Sequence, residues 1–158
     1  MRLIGIKQEL FPLWKQFRCS LYLTIDDDYH QQEMIQIHQN SDWLCRFIEN
    51  DSREIIGLVE ISFRNIVDGC LSSPVAYLEG LYLTEAERGK GHGKQAIDLI
   101  CQWCVENGFS ELATDTQSGN TKAQLFYTRL GFKEIDRVVE YRLELSPPAI
   151  STPLYSKD

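Results

Sequence analysis

Three glycines alternate with three basic side chains in Arg88-Gly-Lys-Gly-His-Gly93, and Lys94 follows. Glycine lets a backbone bend tightly and come close to a ligand. A helix opening after such a loop, at Gly89, Gly91 and Gly93, presents N–H groups that have no partner within the helix. Its dipole adds positive potential, so loop and helix start together suit an anion such as a pyrophosphate. The run is not a Walker loop, because Gly-Lys-Ser/Thr is missing, and GxGxxG does not fit in register. Taken alone it is equally well a flexible turn.

Two carboxylates flank this loop in sequence. Glu79 is the one charged residue inside the apolar run Val75 to Leu83. A buried carboxylate without a partner costs several kcal/mol, so it needs a cation. That cation is either a ligand's or an internal arginine, for instance Arg137 or Arg142. Asp115 closes the short run Glu111 to Thr116, where it either meets a ligand or forms the turn before the next helix. Asp26, Asp27, Asp28 and Glu33 read either as an acidic lip for a cationic ligand or as a solvated helix start.

Other reactive residue types carry less. Cys101-Gln-Trp-Cys104 has C-x-x-C spacing, but it lies inside a helical pattern with both cysteines on the apolar stripe. A redox pair would open a helix instead. His30 and His38 are too far apart on one helix to share a metal, and no metal site is expected. Trp14, Trp43 and Trp103 read as core anchors.

The elements that position these residues follow from periodicity. The sequence predicts an opening strand over 2–7 and amphipathic helices over 9–20 and 29–40. Strands are predicted over 42–49 and 54–65, joined by the turn Asn50-Asp-Ser-Arg53. A buried strand spans 75–83, and the glycine loop feeds a helix over 93–107 that Gly108 ends. A strand over 111–116, a helix over 120–130 and a last strand over 132–145 complete the order. Residues 146–158 hold three prolines and no apolar periodicity, so they read as a tail, a purification remnant or an arm for a partner. The pattern is α+β around a mixed sheet, in one domain over 1–145.

Composition bounds the partners. The chain has 158 residues, 43% hydrophobic and 25% charged, which fits one globular domain with its own core. The net charge is −7, against a sequence-independent nucleic-acid binder and compatible with a cationic small molecule. No run approaches the roughly 20 apolar residues that span a bilayer, so no membrane partner is expected. Residues 1–10 mix Arg2, Lys7 and Glu9 with short apolar runs and do not read as a secretory leader. Five cysteines, an odd count, read as reduced thiols of a cytoplasmic protein.

Arg88-x-x-Gly91-x-Gly93 resembles the Arg/Gln-x-x-Gly-x-Gly/Ala signature of the Gcn5-related N-acetyltransferase superfamily. Asn120 to Phe132, NTKAQLFYTRLGF, is similar to the second cofactor segment of that superfamily. The likeness covers roughly residues 1 to 145. Val67-Asp-Gly-Cys-x-Ser-Ser-Pro-Val-Ala-Tyr-Leu-Glu-Gly80, Ala113-Thr-Asp-Thr116 and Arg137-Val-Val-x-Tyr-Arg142 further resemble a subgroup of aminoglycoside 6'-N-acetyltransferases. The chain departs from that subgroup at Tyr127, where close members carry His. It also has Leu21-Tyr-Leu-Thr-Ile25 in place of their Leu-Trp-Pro.

The resemblance implies a mixed, mostly antiparallel sheet flanked by helices, with splayed central strands. It implies acetyl-CoA as co-substrate and no metal. Leu81, Tyr82 and Leu83 would pair with the pantetheine arm, and a backbone N–H of Leu81 or Leu83 would polarise the acetyl carbonyl. Arg88, Gly89, Lys90, Gly91, His92, Gly93 and Lys94 would hold the pyrophosphate, and Asn120 would cap its helix or bond the arm. Tyr127 would protonate the departing thiolate. Glu79 and Asp115 would bind the acceptor, and either of them, Glu79 in preference, would take the amine proton directly or through water. Asp136 would reach the site of a partner subunit in a homodimer joined through the C-terminal strands. Asp26 and Asp27 would add to the acceptor side. Two alternatives stay open: another cationic acceptor such as a polyamine, and a non-catalytic acetyl-CoA sensor.

Overall fold

A computed structural model describes residues 1–145. The expectation of a tail over 146–158 lies outside the described residues. Five strands form one sheet in sequence order: β1 (Arg2–Gly5), β2 (Trp43–Glu49), β3 (Ile55–Arg64), β4 (Val75–Leu83) and β5 (Leu112–Thr114). The first three pairings are antiparallel and β4 with β5 is parallel, so the sheet is mixed and mostly antiparallel as expected.

Two helix layers cover the two faces. α1 (Phe11–Leu21) and α2 (Asp27–Gln39) lie on one face. There Trp14, Phe17, Met34, Ile37, Phe47 and Leu58 form a buried cluster. On the other face, Ala96, Ile97, Ile100 and Cys104 of α3 (His92–Glu106) meet Val59, Ile61, Ala76 and Leu78. α4 (Thr121–Arg129) adds partly buried Phe126 and Tyr127 to that second core. Each face alternates along the strands because side chains of a strand point to opposite sides.

Element starts follow local chemistry. α2 begins two residues earlier than its apolar pattern predicts, because Asp26 caps it by accepting from the Tyr29 N–H at 2.8 Å. Asp27 and Asp28 then occupy its first turn, at the positive end of the dipole. α3 begins at His92 after two glycines in the left-handed region, Gly89 at φ +75° and Gly91 at φ +85°. Asn120 caps α4 by accepting from the Ala123 N–H at 3.1 Å.

Two expectations are corrected. No strand follows β5 among the described residues, so the last strand predicted over 132–145 is not formed within the chain. β5 has only three residues and offers that segment almost no edge to pair with, and Val138, Val139, Tyr141, Leu143 and Leu145 are exposed. The two cysteines of Cys101-Gln-Trp-Cys104 are not on one stripe: Cys104 is buried and Cys101 is exposed. Cys101 lies about 60° round the helix from Cys104, which puts it past the edge of the stripe that Ala96, Ile97, Ile100 and Cys104 bury. All five cysteines are free.

Candidate active site

A bulge in β4 organises the cleft. Glu60 of β3 faces Gly80 and Ile61 faces Leu78, so Glu79 is the one residue of β4 without an opposite number. An extra residue re-aims its side chain and shifts the alternation beyond it. Above the bulge, Ala76 and Leu78 face the α3 core; beyond it, Leu81 and Leu83 do. Tyr77, Glu79, Gly80 and Tyr82 are therefore left for the α1 side. Gly80 lets α1 approach closely there: a Cβ would lie 2.4 Å from the Tyr22 hydroxyl and 2.5 Å from Leu21, and both side chains would have to shift.

The splay expected between central strands is present as a difference in length. β5 pairs only with Ala76, Tyr77 and Leu78, and β4 runs on to Leu83 with that edge open. The Thr84 N–H donates to Ile56 O at 2.9 Å, which turns Thr84 toward β3. Antiparallel pairs alternate, so Tyr82 and Gly80 also turn toward β3, and Leu81 and Leu83 direct their backbone groups to the open edge. The Leu83 carbonyl there accepts from Arg88 Nε at 2.9 Å. Of the backbone positions that the resemblance assigned to a pantetheine arm, Leu81 and the N–H of Leu83 are thus available to one, with the Leu83 carbonyl held by Arg88. Tyr82 instead spends its backbone on the sheet and lays its ring against Phe17, with centroids 5.0 Å apart.

The open edge leads to the glycine loop. Gly93 lets the loop sit against α4, since a Cβ would lie 3.0 Å from the Phe126 ring. The loop's cations are largely engaged by the protein. Arg88 turns back to the Leu83 carbonyl, and Lys90 and His92 Nδ1 lie 3.0 and 2.9 Å from the two Glu87 oxygens. Lys94 pairs with Asp98 at 2.6 Å. Anion binding here therefore rests first on the backbone N–H groups at the start of α3. This donor set, with its two left-handed glycines and an open strand edge, fits a pyrophosphate and its arm.

Tyr127 stands beside the same edge, its ring between Phe126 and Phe132 with centroids 5.3 and 5.2 Å away. Burial pushes its phenol up, the Thr114 hydroxyl offsets part of that, and the charge of Asp115 adds to it. The group therefore keeps its proton through neutral pH, as a donor to a thiolate must.

On the α1 side, a cavity of about 280 Å³ is lined by Glu33, Glu60, Glu79, Arg18, Tyr22 and Trp43, among others. Glu79 is paired, but not with Arg137 or Arg142. Its Oε1 accepts from Arg64 Nη2 at 2.7 Å and Nε at 3.2 Å, and from the Ser62 hydroxyl. No donor among the described residues reaches Oε2. Asp115 Oδ1 accepts from the Tyr77 hydroxyl at 2.9 Å. Burial and that bond to Asp115 push the Tyr77 phenol up.

The structure does not gather every acidic candidate. Asp26 is spent on its cap, and Asp27 pairs with Lys15 at 2.6 Å. Lys15 holds the Asp27 carboxyl below its ordinary range. Asp136 is exposed in the segment after α4 and accepts from the Arg137 N–H at 2.6 Å. Glu33 does reach the cavity, paired with Arg18.

Sequence reasoning missed the floor of the cavity. Glu60 is wholly buried and accepts from Trp14 Nε1 at 2.6 Å, Arg18 Nη1 at 2.8 and 2.7 Å, and the Tyr22 hydroxyl at 3.0 Å. Burial beside this carboxylate pushes the Tyr22 phenol far up. A signal existed: Arg18 lies four residues after Trp14 on the apolar side of α1, and Glu60 interrupts an apolar strand. A buried charge on each of two facing elements points to a pair. Among the described residues, no group of three or more His, Cys, Asp or Glu side chains is placed to hold a metal.

Comparison with known proteins agrees with this geometry. Residues 8–132 match the model of the acetyltransferase (GNAT) family. The chain is 37% identical over 130 residues to aminoglycoside N(6')-acetyltransferase type 1 of Salmonella typhimurium, covering 82% of this chain and 89% of that one. It is 34% identical to the Serratia marcescens protein of the same name, covering 84% and 91%. Among solved structures it is similar to AAC(6')-Iy in complex with the bisubstrate analog CoA-S-monomethyl-acetylneamine. The TM-score is 0.80 at 31% identity, over 91% of this chain and 98% of that one.

Proposed function

This chain belongs to the acetyltransferase (GNAT) family, and from that premise we propose that it transfers acetyl from acetyl-CoA to the 6'-amine of aminoglycosides in a ternary complex. The observation that carries the reading is the β4 bulge. It sends the Glu79 carboxylate into a cavity on one side and leaves the Leu81 backbone on an open edge on the other. Curated relatives named aminoglycoside N(6')-acetyltransferase, and a solved relative bound to a CoA–acetylneamine analog, support the same acceptor.

Acetyl-CoA, as co-substrate, supplies the activated thioester. The start of α3 and its glycines would hold the pyrophosphate, and Leu81 and Leu83 would line the arm. The Leu81 N–H polarises the carbonyl where negative charge develops. Glu79 takes a proton from the incoming ammonium, directly or through water, so that nitrogen attacks as a neutral amine. The C–N bond forms as the C–S bond breaks, Tyr127 gives its proton to the thiolate, and the second proton shed by the acylated nitrogen returns to the Tyr127 phenolate through water. Asp115 binds a second ammonium of the acceptor.

The active unit is a homodimer in the cytoplasm. Residues 132–145 carry six exposed apolar side chains, from Ile135 to Leu145, on a segment with no strand of its own. Pairing with a second copy would bury them and carry Asp136 toward the partner's acceptor site. Five free thiols suit a reducing compartment.

Thiol release from acetyl-CoA tests the reaction, with one aminoglycoside bearing a 6'-amine and a counterpart bearing a 6'-hydroxyl. Turnover with the amine alone is expected. Turnover with neither, while acetyl-CoA still binds, would turn the acceptor search to polyamines.

A further inference from the structure

Arg64 sits between the two carboxylates of the acceptor side. Its Cζ lies 3.5 Å from the centroid of the Tyr77 ring, and its Nη2 lies 2.7 Å from Glu79 Oε1. Tyr77 in turn donates to Asp115 at 2.9 Å. Glu79, Arg64, Tyr77 and Asp115 thus form one continuous chain of contacts along the rim of the sheet. The Glu79 side chain is 19% exposed and that of Arg64 is 42% exposed, so both remain in reach of a ligand.

We propose that Arg64 is a specificity-determining residue, which lowers the acceptor site's preference for highly charged polycations by placing a fixed guanidinium against Glu79. The inference rests on the cationic acceptor proposed above. Stacking on Tyr77 holds the guanidinium in one place, so it is a standing charge and not a wandering side chain. It occupies only Oε1, together with Ser62, and leaves Oε2 for the ammonium that reacts. Every further ammonium on the acceptor meets its repulsion. Partial exposure screens that repulsion, so the effect falls with salt.

The test compares the wild type with Arg64→Gln and Arg64→Lys on two acceptors. Kanamycin is a polycation, and 6-amino-6-deoxyglucose presents the same reacting ring as a monocation. In Arg64→Gln the KM for kanamycin should fall on the order of three- to tenfold at low salt. The gain should shrink at high salt and be clearly smaller for the monocation. The KM for acetyl-CoA should not move, and Arg64→Lys, which keeps the charge but loses the stacked fork, should fall between wild type and Arg64→Gln. Calorimetry of kanamycin with each variant in the presence of CoA reads the same affinity without turnover. A rise in KM for both acceptors with a fall in kcat would make Arg64 a mere support for Glu79 and overturn the proposal. So would equal changes for the two acceptors. A wild type that neither binds nor acetylates kanamycin fails at the acceptor reading itself and takes this inference with it.

Discussion

Glu79 Oε1 lies 2.7 Å from Arg64 Nη2 and also takes the Ser62 hydroxyl, so the carboxylate enters the cleft with one oxygen committed. The other oxygen has no donor among the described residues. A carboxylate anchored through one oxygen is oriented without being saturated, which is what a proton acceptor for an incoming ammonium requires.

Glu79→Gln removes that acceptor and keeps the shape. Its kcat/KM for a 6'-amine acceptor should fall about 100-fold, within the usual range for loss of a general base. Binding of acetyl-CoA should not change, because Glu79 points away from the open edge. Equal losses for both ligands in steady-state kinetics would count against its placement.

Tyr127 must carry its proton to give it away. Burial and the nearby Asp115 hold the phenol above its ordinary value near 10. The donor is therefore competent through neutral pH and is lost only as pH rises past that raised value. Tyr127→Phe should lower kcat at least about tenfold. Any alkaline limb of the wild-type kcat profile above about pH 10 should vanish in the variant. A kcat left unchanged would assign the ring to packing alone.

Glu60 accepts from Trp14, Arg18 and Tyr22 in a site closed to water. Glu60→Leu leaves the Arg18 charge buried with half its partners gone. The loss in stability should be about 3–5 kcal/mol. Urea unfolding should show it as a lower midpoint at an unchanged slope.

Glu87 engages Lys90 and His92 in the glycine loop. Lys90 holds its carboxyl below the ordinary range, so it stays ionised at neutral pH and opposes an incoming pyrophosphate. Glu87→Gln should lower the KM for acetyl-CoA a few-fold at low salt and leave the acceptor KM alone. A raised KM would show that Glu87 orders the loop.

Sedimentation at micromolar concentration should give a species of two chains. Tyr141→Asp, at a 92% exposed position, should shift it toward one chain without altering the fold. A single-chain wild type would remove Asp136 from the acceptor site.

The glycine loop and the start of α3 were legible in the sequence, because glycine spacing and helix starts are local. The strands from β1 to β5 and all four helices were legible from periodicity and caps. Glu79 and Asp115 were legible as carboxylates in apolar surroundings, but their partners were not. Arg64 and Tyr77 are contributed by neighbouring strands, and register is set by the bulge, which no local pattern announces. The Arg18–Glu60 pair spans 42 residues of sequence and belongs to tertiary packing. The segment after Phe132 read as a strand from its apolar alternation, yet alternation records only what a segment prefers once an edge is at hand.

The bulge at Glu79 has an evolutionary side. Glu79 is the one residue of β4 whose backbone has no opposite number on β3, and only its side chain reaches that strand, at Ser62 and Arg64. Its side chain can be exchanged without disturbing the ladder that presents Leu81. On the proposed mechanism the strand separates two heritable traits: the backbone beyond the bulge would keep the donor, and the odd residue would meet the acceptor. Side chains on the acceptor face can then vary while the backbone that would handle the thioester passes on intact.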